Sequence, residues 1–298
     1  MALQKYQKDI GPVLRRAVEK IKGDHRSGAT TIALNVLGLA VRIAGKGKAL
    51  SDERARKVIA VLFDEVIRAH PQMGILYYLC RECKKKRLRS RQDFREFAAQ
   101  FKSTLEAQQA GNARGFARQL KLHSKVITTS YSSSVARALV EAGPRKIRVV
   151  VSESRPMLEG RELASLLSEN KIPVTLVVDA ALGLHVPGAG AVVLGVDAVT
   201  PDYFVNKIGS LALCLLAREF GVPVILLTDT FRLLGKGIIR RRQVEHPVSE
   251  VIRRPQPYTI DNRYFDFVPL RLVNKIICNG GTLTPRQLFK ERSLREIP

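Results

Sequence analysis

The chain contains no tryptophan, and only 6% of its 298 residues are aromatic. Proteins that bind single-stranded RNA usually stack its bases on aromatic side chains, so this scarcity argues against a stacking platform. Cysteine is also scarce, and its four positions are Cys80, Cys83, Cys214 and Cys278. They do not form the cysteine framework of a secreted domain, and they indicate a reducing compartment. We therefore expect a cytoplasmic protein.

Long hydrophobic runs are missing as well. Residues 1–20 are amphipathic and charged and lack the continuous apolar centre of a signal peptide. The longest apolar stretches are interrupted by glycine, proline or charge, so none reaches the length of about 20 residues that spans a membrane. The remaining composition, 45% hydrophobic and 26% charged, is typical of a globular protein. We expect a soluble chain without a membrane partner.

Acidic residues are few in relation to basic ones. The chain has 27 Asp and Glu against 50 Lys and Arg, which gives a net charge of +23 and a pI near 10.3. Such an excess predicts acidic partners, with phosphorylated small molecules, an acidic protein or RNA as the candidates. Basic runs lie at residues 84–91, 240–242 and 253–254. Each run alone is more typical of a solvated face.

The first 120 residues have the pattern of helices. Apolar residues recur at helical spacing in three successive segments, and a long charged helix is predicted from Arg91 to Gln119. Ser51 precedes two acidic residues and is a typical helix N-cap. We assign residues 1–120 to a helical domain.

The remaining residues, 121–298, have the pattern of an α/β domain. Short, nearly continuous apolar strands are predicted near residues 125–129, 147–151, 174–178, 191–197 and 222–227, with helices between them, one of them from about Asn206 to Phe220. Such strands form a parallel sheet that is covered on both faces. The predicted fold is therefore an N-terminal helical domain followed by a Rossmann-like parallel-sheet domain. Ligands of such sheets bind beyond the carboxyl ends of the strands.

Four ordered motifs carry a family resemblance. They lie at residues 26–29, at 152–163, at 194–199 with 205–210, and at 264–269 with 280–285. Together they resemble the family that joins the translation initiation factor 2B alpha, beta and delta subunits to ribose-1,5-bisphosphate isomerase and methylthioribose-1-phosphate isomerase. The match is dense in the second half of the chain and thin in the first.

The resemblance implies a pocket for a phosphorylated metabolite between the helical domain and the sheet. Cationic side chains at strand ends suit a phosphate, and a helix that starts near Asn206 would add oriented N–H groups. A glycine before an apolar helix would let a ligand approach the backbone. The ligand-binding residues that we predict are Arg26, Gly28, Ala29, Arg155, Asn206 and Lys207. Taken singly, Arg155 could equally bridge to a carboxylate, and Asn206 could cap its helix.

Two further positions bear on catalysis. The family's isomerases resemble one another in a cysteine after the first strand and an aspartate after the Gly-x-Asp strand, which act as an acid/base pair. Asp197 matches the aspartate, but Ser130 stands at the cysteine position, and Arg26 is displaced by one residue from the isomerase pattern. A free thiol has a pKa of about 8.5, whereas an aliphatic hydroxyl does not exchange protons readily near neutral pH. These departures predict a non-catalytic, initiation-factor-2B-like regulatory protein.

Two alternatives to this interpretation remain. One is an aldose–ketose isomerase that acts on a sugar 1-phosphate, with Asp197 and Ser130 as the catalytic residues. The other is an RNA- or ribosome-associated protein that uses the basic runs. The Cys80-x-x-Cys83 pair has metal-ligand spacing but no second pair, and zinc requires four ligands, so we expect no metal and no cofactor. The resemblance also implies a homo-oligomer that associates through the C-terminal domain.

Overall fold

The computed structural model of the chain describes residues 6–45, 50–86, 88–239, 244–254 and 256–290. The basic run at 240–242, and Arg87 within the run at 84–91, lie outside these residues. Two compact units meet between Ala107 and Gln108, inside the long helix α5 (Arg91–Gln119). The boundary expected at residue 120 falls where this helix ends. The division into two domains stays a prediction.

The first unit is built from helices. They are α1 (Gln7–Lys22), α2 (Ala29–Ala44), α3 (Asp52–Ala69), α4 (Gly74–Lys85) and the first turns of α5. Ser51 caps α3, as its position before two acidic residues predicts, and its Oγ accepts the N–H of Arg54 at 3.3 Å. Among the described residues, no helix is both long and apolar enough to cross a bilayer.

The second unit contains a seven-stranded sheet. The elements in chain order are β1 (Ser124–Thr128), α6 (Ser133–Ala142), β2 (Ile147–Ser152), α7 (Glu159–Glu169), β3 (Val174–Val177), β4 (Ala191–Leu194), β5 (Ala198–Val199), β6 (Tyr203–Lys207), α8 (Ser210–Glu219), β7 (Val224–Thr228), β8 (Phe265–Pro269), β9 (Lys275–Cys278), β10 (Gly281–Leu283) and α9 (Pro285–Leu288). The sheet order is β10-β9-β7-β4-β1-β2-β3, and only β10 runs antiparallel to its neighbour. The predicted α/β class with a parallel sheet is confirmed.

Apolar residues cover both faces of this sheet. Successive residues of a strand point to opposite faces, and along β1 Val126 belongs to one buried cluster while Ile127 belongs to the other. The same alternation separates Val150 from its neighbours Val149 and Val151 on β2. This double burial explains why the strands are nearly continuous apolar runs in the sequence.

A small antiparallel sheet, β5-β6-β8, corrects one prediction. The segment around Asn206 was expected to start a helix, but Asn206 and Lys207 are the last residues of strand β6. Helix α8 begins at Ser210, after Gly209, which has a φ of 95°. A glycine adopts this left-handed conformation without strain and allows the chain to turn from strand to helix. The expected N–H groups at Asn206 therefore belong to a strand.

Helix α7 approaches strand β2 very closely. A Cβ atom added to Gly160 would lie 1.7 Å from the carbonyl oxygen of Ser152. Only glycine allows this approach, and it fixes the position of the neighbouring residue Glu159, which starts the helix.

We predict that Gly160→Ala destabilises the protein by at least about 1–3 kcal/mol, because the helix or the strand must move to admit the methyl group. Ser165→Ala, at an exposed position of the same helix, is the control and should change the free energy of unfolding by less than about 0.5 kcal/mol. Urea unfolding of both variants measures the difference. Equal stability of the two variants would show that the close approach does not hold in solution.

Candidate functional site

The loops after β1 and β2 are held together by serine and threonine hydroxyls. Ser130 and Ser154 have φ values of 63° and 65°, a conformation that is uncommon outside glycine and that concentrates at functional sites. The N–H of Ser130 donates to the Oγ of Ser154 at 2.7 Å, and the hydroxyls of Thr129 and Ser152 lie 2.9 Å apart. Ser130, the residue at the expected cysteine position, is partly exposed at this edge of the sheet.

Arg155 lies at the same edge with an exposed side chain. Its backbone N–H and that of Ser154 donate to the two carboxylate oxygens of Asp179, at 2.8 and 2.9 Å. Its guanidinium donates to the carbonyl oxygen of Val251 at 3.1 Å. No carboxylate of the described residues forms an ion pair with this guanidinium, so the bridging alternative does not apply and its charge is available to an anion.

Lys207 has a different environment from the one expected. Its side chain is only 6% exposed, and its Nζ lies 2.5 Å from Oε1 of Glu159. The ammonium also lies over the ring of Tyr264, 5.0 Å from the centroid, which is a cation–π arrangement. The neighbouring Asn206 is buried and is not the N-cap residue of α8, and its amide donates to the Oγ of Ser210 at 2.9 Å.

Tyr264 is supported by residues of a loop that the sequence did not single out. Its hydroxyl donates to Glu250 at 2.5 Å, and the ring of His246 stacks on it at 3.4 Å between centroids. Burial, together with the nearby Glu250 carboxylate, raises the pKa of the Tyr264 hydroxyl, which stays protonated. This arrangement fixes the aromatic surface beneath the ammonium of Lys207.

Asp197 follows β4 and lies between positive groups. Burial raises the pKa of its carboxyl from the ordinary 3.8 to about 6; the charges of Arg232 and Lys207 oppose this rise, and the Glu159 carboxylate adds to it. Within the described part of the chain, no hydrogen bond engages the Asp197 carboxylate. Arg232 is itself paired with the buried Asp229. Asp197 is thus a carboxyl group that gains and loses a proton near neutral pH.

Glu159 is the fourth charged group of the cluster. Its side chain is 13% exposed, and its second oxygen, Oε2, is buried without a hydrogen-bond partner among the described residues. Sequence reasoning quoted Glu159 and Tyr264 within motifs but assigned neither to the site. Their position beside a strand-end lysine depends on pairing between distant segments, for which the sequence carries no local signal.

The predicted residues near the amino terminus lie in the helical unit. Gly28 is the N-cap residue of α2, and Ala29 is the first residue of that helix. The N–H groups of Arg26 and Ser27 donate to a carboxylate oxygen of Asp24 at 3.1 and 2.9 Å. A Cβ on Gly28 would contact no atom within 4 Å, so the space around it is open. A ligand-binding role for Arg26, Gly28 and Ala29 stays a prediction.

The described residues contain no group of three or more His, Cys, Asp or Glu side chains that could hold a metal ion. Cys80 and Cys83 both lie on α4 and are free. Burial raises the pKa of the Cys83 thiol to about 12, so this sulfur is protonated rather than an anionic metal ligand.

The site combines two cations with two carboxyl groups at the carboxyl edge of a parallel sheet. Arg155 and Lys207 suit a phosphate group. Asp197 can exchange a proton with a ligand held beside them. This arrangement fits a protein that binds a small phosphorylated molecule and moves protons on it.

The sequence matches the Initiation factor 2 subunit family over residues 25–285, and the chain belongs to this family. It is 29% identical to the ribose 1,5-bisphosphate isomerase of Haloferax volcanii, covering 95% of this chain and 94% of that protein. It is 34% identical to the methylthioribose-1-phosphate isomerase of Oleidesulfovibrio alaskensis over 53% of this chain and 48% of that protein. The family expected from the motifs is confirmed.

The solved structure of translation initiation factor eIF-2B from Pyrococcus horikoshii OT3 has the same fold. It superposes with a TM-score of 0.81 at 25% identity, covering 92% of this chain and 98% of that one. The expectation of a non-catalytic regulator is nevertheless wrong, because relatives matched along nearly the whole chain are named as sugar-phosphate isomerases. That expectation relied too heavily on the presence of Ser130 at the position of the family's cysteine.

The raised pKa of Asp197 leads to a prediction about stability. Above pH 6 the folded protein holds an ionised, buried carboxylate at a cost, whereas below pH 4 this group is protonated in both the folded and unfolded states. The contribution of Asp197 to stability therefore falls as the pH rises from about 4 to about 6. We expect Asp197→Asn to raise the Tm by about 2–5 °C at pH 7.5 and to leave it nearly unchanged at pH 4.

Asp202→Asn serves as the control, because Asp202 is half exposed and pairs only loosely with Lys236, at 3.6 Å. Thermal unfolding of both variants at the two pH values measures the effect. An equal change in Tm at pH 4 and pH 7.5 for Asp197→Asn would mean that the folded protein does not disfavour the ionised form of the Asp197 carboxyl.

Proposed function

We propose that this protein is an aldose–ketose isomerase that acts on a sugar 1-phosphate of the ribose 1,5-bisphosphate or methylthioribose 1-phosphate type. The observation that carries the proposal is Asp197, a mostly buried carboxyl group that follows β4 and lies near the charges of Lys207 and Glu159, with a pKa raised to about 6. Isomerisation requires a group that both gives and takes protons at neutral pH, and a carboxyl with this pKa meets the requirement.

The two cations support a phosphorylated substrate. The guanidinium of Arg155 is exposed and has no ion-pair partner among the described residues, and the ammonium of Lys207 contacts the carboxylate of Glu159. A phosphate that is held by both would place the attached sugar carbon beside the strand ends. Hydrogen bonds between such cations and a phosphate contribute roughly 1.5–3 kcal/mol each.

The reaction needs proton transfers at oxygen and at carbon. When the ring of a sugar 1-phosphate opens, the ring oxygen takes a proton, and the hydroxyl on C2 later loses one. Asp197 can serve both oxygens in turn, since it gains and loses its proton near neutral pH. A second group has to move the hydrogen from C2 to C1. Ser130 is the candidate that the sequence supplies, from its place at the family's cysteine position.

We expect the purified protein to convert ribose 1,5-bisphosphate or methylthioribose 1-phosphate to its ketose, and Asp197→Asn to lower kcat by a factor of about 10²–10⁴. NMR of the sugar carbons follows substrate and product directly. The rate should change with an inflection near pH 6 in the unmodified protein. Asp202→Asn is again the matched control and should keep the full rate.

Absence of turnover with both substrates would refute the proposal. So would a rate that Asp197→Asn leaves unchanged, since the observation on which the proposal rests would then have no bearing on the reaction.

A homo-oligomer and a cytoplasmic location also remain part of the proposal. Apolar side chains project from neighbouring segments of the sheet unit, with Leu184 80% and Phe220 50% exposed. Gly183, which precedes Leu184, lies close to the side chain of Leu216 on α8. Association with an acidic protein or RNA through the basic runs stays a prediction.

A further inference from the structure

The second carboxylate of the site, Glu159, has a feature that binding Lys207 does not explain. Its Oε1 is taken by the ammonium at 2.5 Å, but its Oε2 is buried without a hydrogen-bond partner among the described residues. Leaving a buried carboxylate oxygen unpaired is costly, and such groups are rare in native structures. A structural ion pair alone would not require it.

The chain holds this oxygen in place by several independent means. Gly160 fixes the start of α7 against the carbonyl oxygen of Ser152. Leu158, which precedes Glu159, has a φ of 64°, and the N–H groups of the first helical turn favour a negative charge at this position. The influence of the Glu159 carboxylate on the pKa of Asp197 shows that the two groups share one electrostatic environment.

We infer that Glu159 is the group that carries the hydrogen between C1 and C2 of the sugar, in the place of the thiol that the chain lacks at Ser130. This inference rests on the proposed function. The active-site glutamate of triosephosphate isomerase removes a proton from a carbon next to a carbonyl, and the C1 protons of the ketose product stand next to its C2 carbonyl in the same way. Ser130 has only a hydroxyl, and no histidine of the described residues forms a hydrogen bond with it that could activate it.

Substrate binding itself prepares Glu159 for this role. In the absence of ligand, Lys207 neutralises the carboxylate. The substrate's phosphate competes for the same ammonium and draws it away from Oε1. Once the ammonium has moved to the phosphate, Oε1 of the carboxylate no longer accepts its hydrogen bond and can accept a proton from the substrate. Glu159 therefore acts as a base only when the phosphate of a ligand is bound to Lys207.

The proton transfers balance without an oxidant or a co-reactant. Glu159 takes the proton from C2, the C1–C2 double bond forms, the bond from C1 to the ring oxygen breaks, and Asp197 gives its proton to that oxygen. Asp197 then takes the proton of the C2 hydroxyl, the C2 carbonyl forms, and Glu159 returns its proton to C1. One hydrogen has moved from C2 to C1 and another between two oxygens.

The test separates transfer at carbon from ring opening. Ribulose 1,5-bisphosphate, the ketose product, is incubated with the protein in D2O, and NMR follows the incorporation of deuterium at C1. We expect Glu159→Gln to slow this exchange by a factor of about 10²–10⁴. The same variant should bind the bisphosphate as tightly as the unmodified protein or more tightly, because the carboxylate that competes for Lys207 is gone. Calorimetry measures this affinity.

Two further variants test this interpretation. Glu159→Asp keeps the negative charge and the ion pair, but its side chain is shorter by one methylene group. This variant should fold normally and should incorporate deuterium at C1 slowly. Ser130→Ala decides between the two candidates for transfer at carbon, because it removes the serine hydroxyl and leaves the Glu159 carboxylate in place. A slow Ser130→Ala would assign the transfer to the serine and overturn the inference.

The remaining outcomes are also decisive. Unchanged exchange in Glu159→Gln would remove Glu159 from the chemistry while leaving the isomerase proposal intact. Loss of both exchange and ligand affinity in that variant would show that Glu159 only positions Lys207. If the unmodified protein neither isomerises the sugar phosphates nor exchanges the ketose, the proposed function itself fails, and this inference fails with it.

Discussion

The buried ion pair between Lys207 and Glu159 connects the two sheets of the α/β unit. Lys207 ends β6 in the small antiparallel sheet, and Glu159 begins α7 beside the large parallel sheet. Neither charge is well solvated, so removal of one partner leaves the other buried and costs about 3–5 kcal/mol. The position of the strand-end loops relative to β6 depends on this contact. The ion pair also keeps together two charges that act on the pKa of Asp197 in opposite directions.

A site arranged in this way is less stable than an apolar core of the same shape. Asp197 is held in a buried environment that raises its pKa, and Glu159 keeps an unpaired oxygen. Replacement of a buried ion pair by well-packed apolar residues is often neutral or stabilising. This cost to stability is the reason why we propose a functional role for the cluster.

The sequence predicted those features that depend on local pattern. The strands β1, β2, β4 and β7 were recognisable because most of their residues are buried, so each is an apolar run. Strand β3, at the edge of the sheet, is less buried but is also largely apolar. The last two residues of β6, Asn206 and Lys207, were assigned to the following helix. The signal at the boundary is Gly209, whose left-handed conformation separates the two elements. The φ value of a single glycine between two apolar segments cannot be inferred from the sequence.

The site was predictable only in part for a related reason. Asp197 and Arg155 follow strands, and the carboxyl ends of parallel strands meet at one edge, so their proximity follows from the topology. Glu159 and Lys207 are 48 residues apart, and their contact depends on the small sheet, whose strands could not be paired from pattern alone. Because this contact was invisible, Lys207 was taken for a free phosphate ligand, and Glu159 was not considered.

The same omission explains the mistaken emphasis on Ser130. If the only candidate for the second proton transfer is the residue at the cysteine position, a serine there argues against catalysis. Isomerisation, however, requires a base near C2 and not a thiol as such, and carboxylates perform this transfer in other isomerases. In this chain Glu159 lies beside Lys207, and we propose that it meets the chemical requirement in place of the cysteine. The loss of one family residue is therefore weak evidence for loss of activity until the charged groups around the pocket have been located in three dimensions.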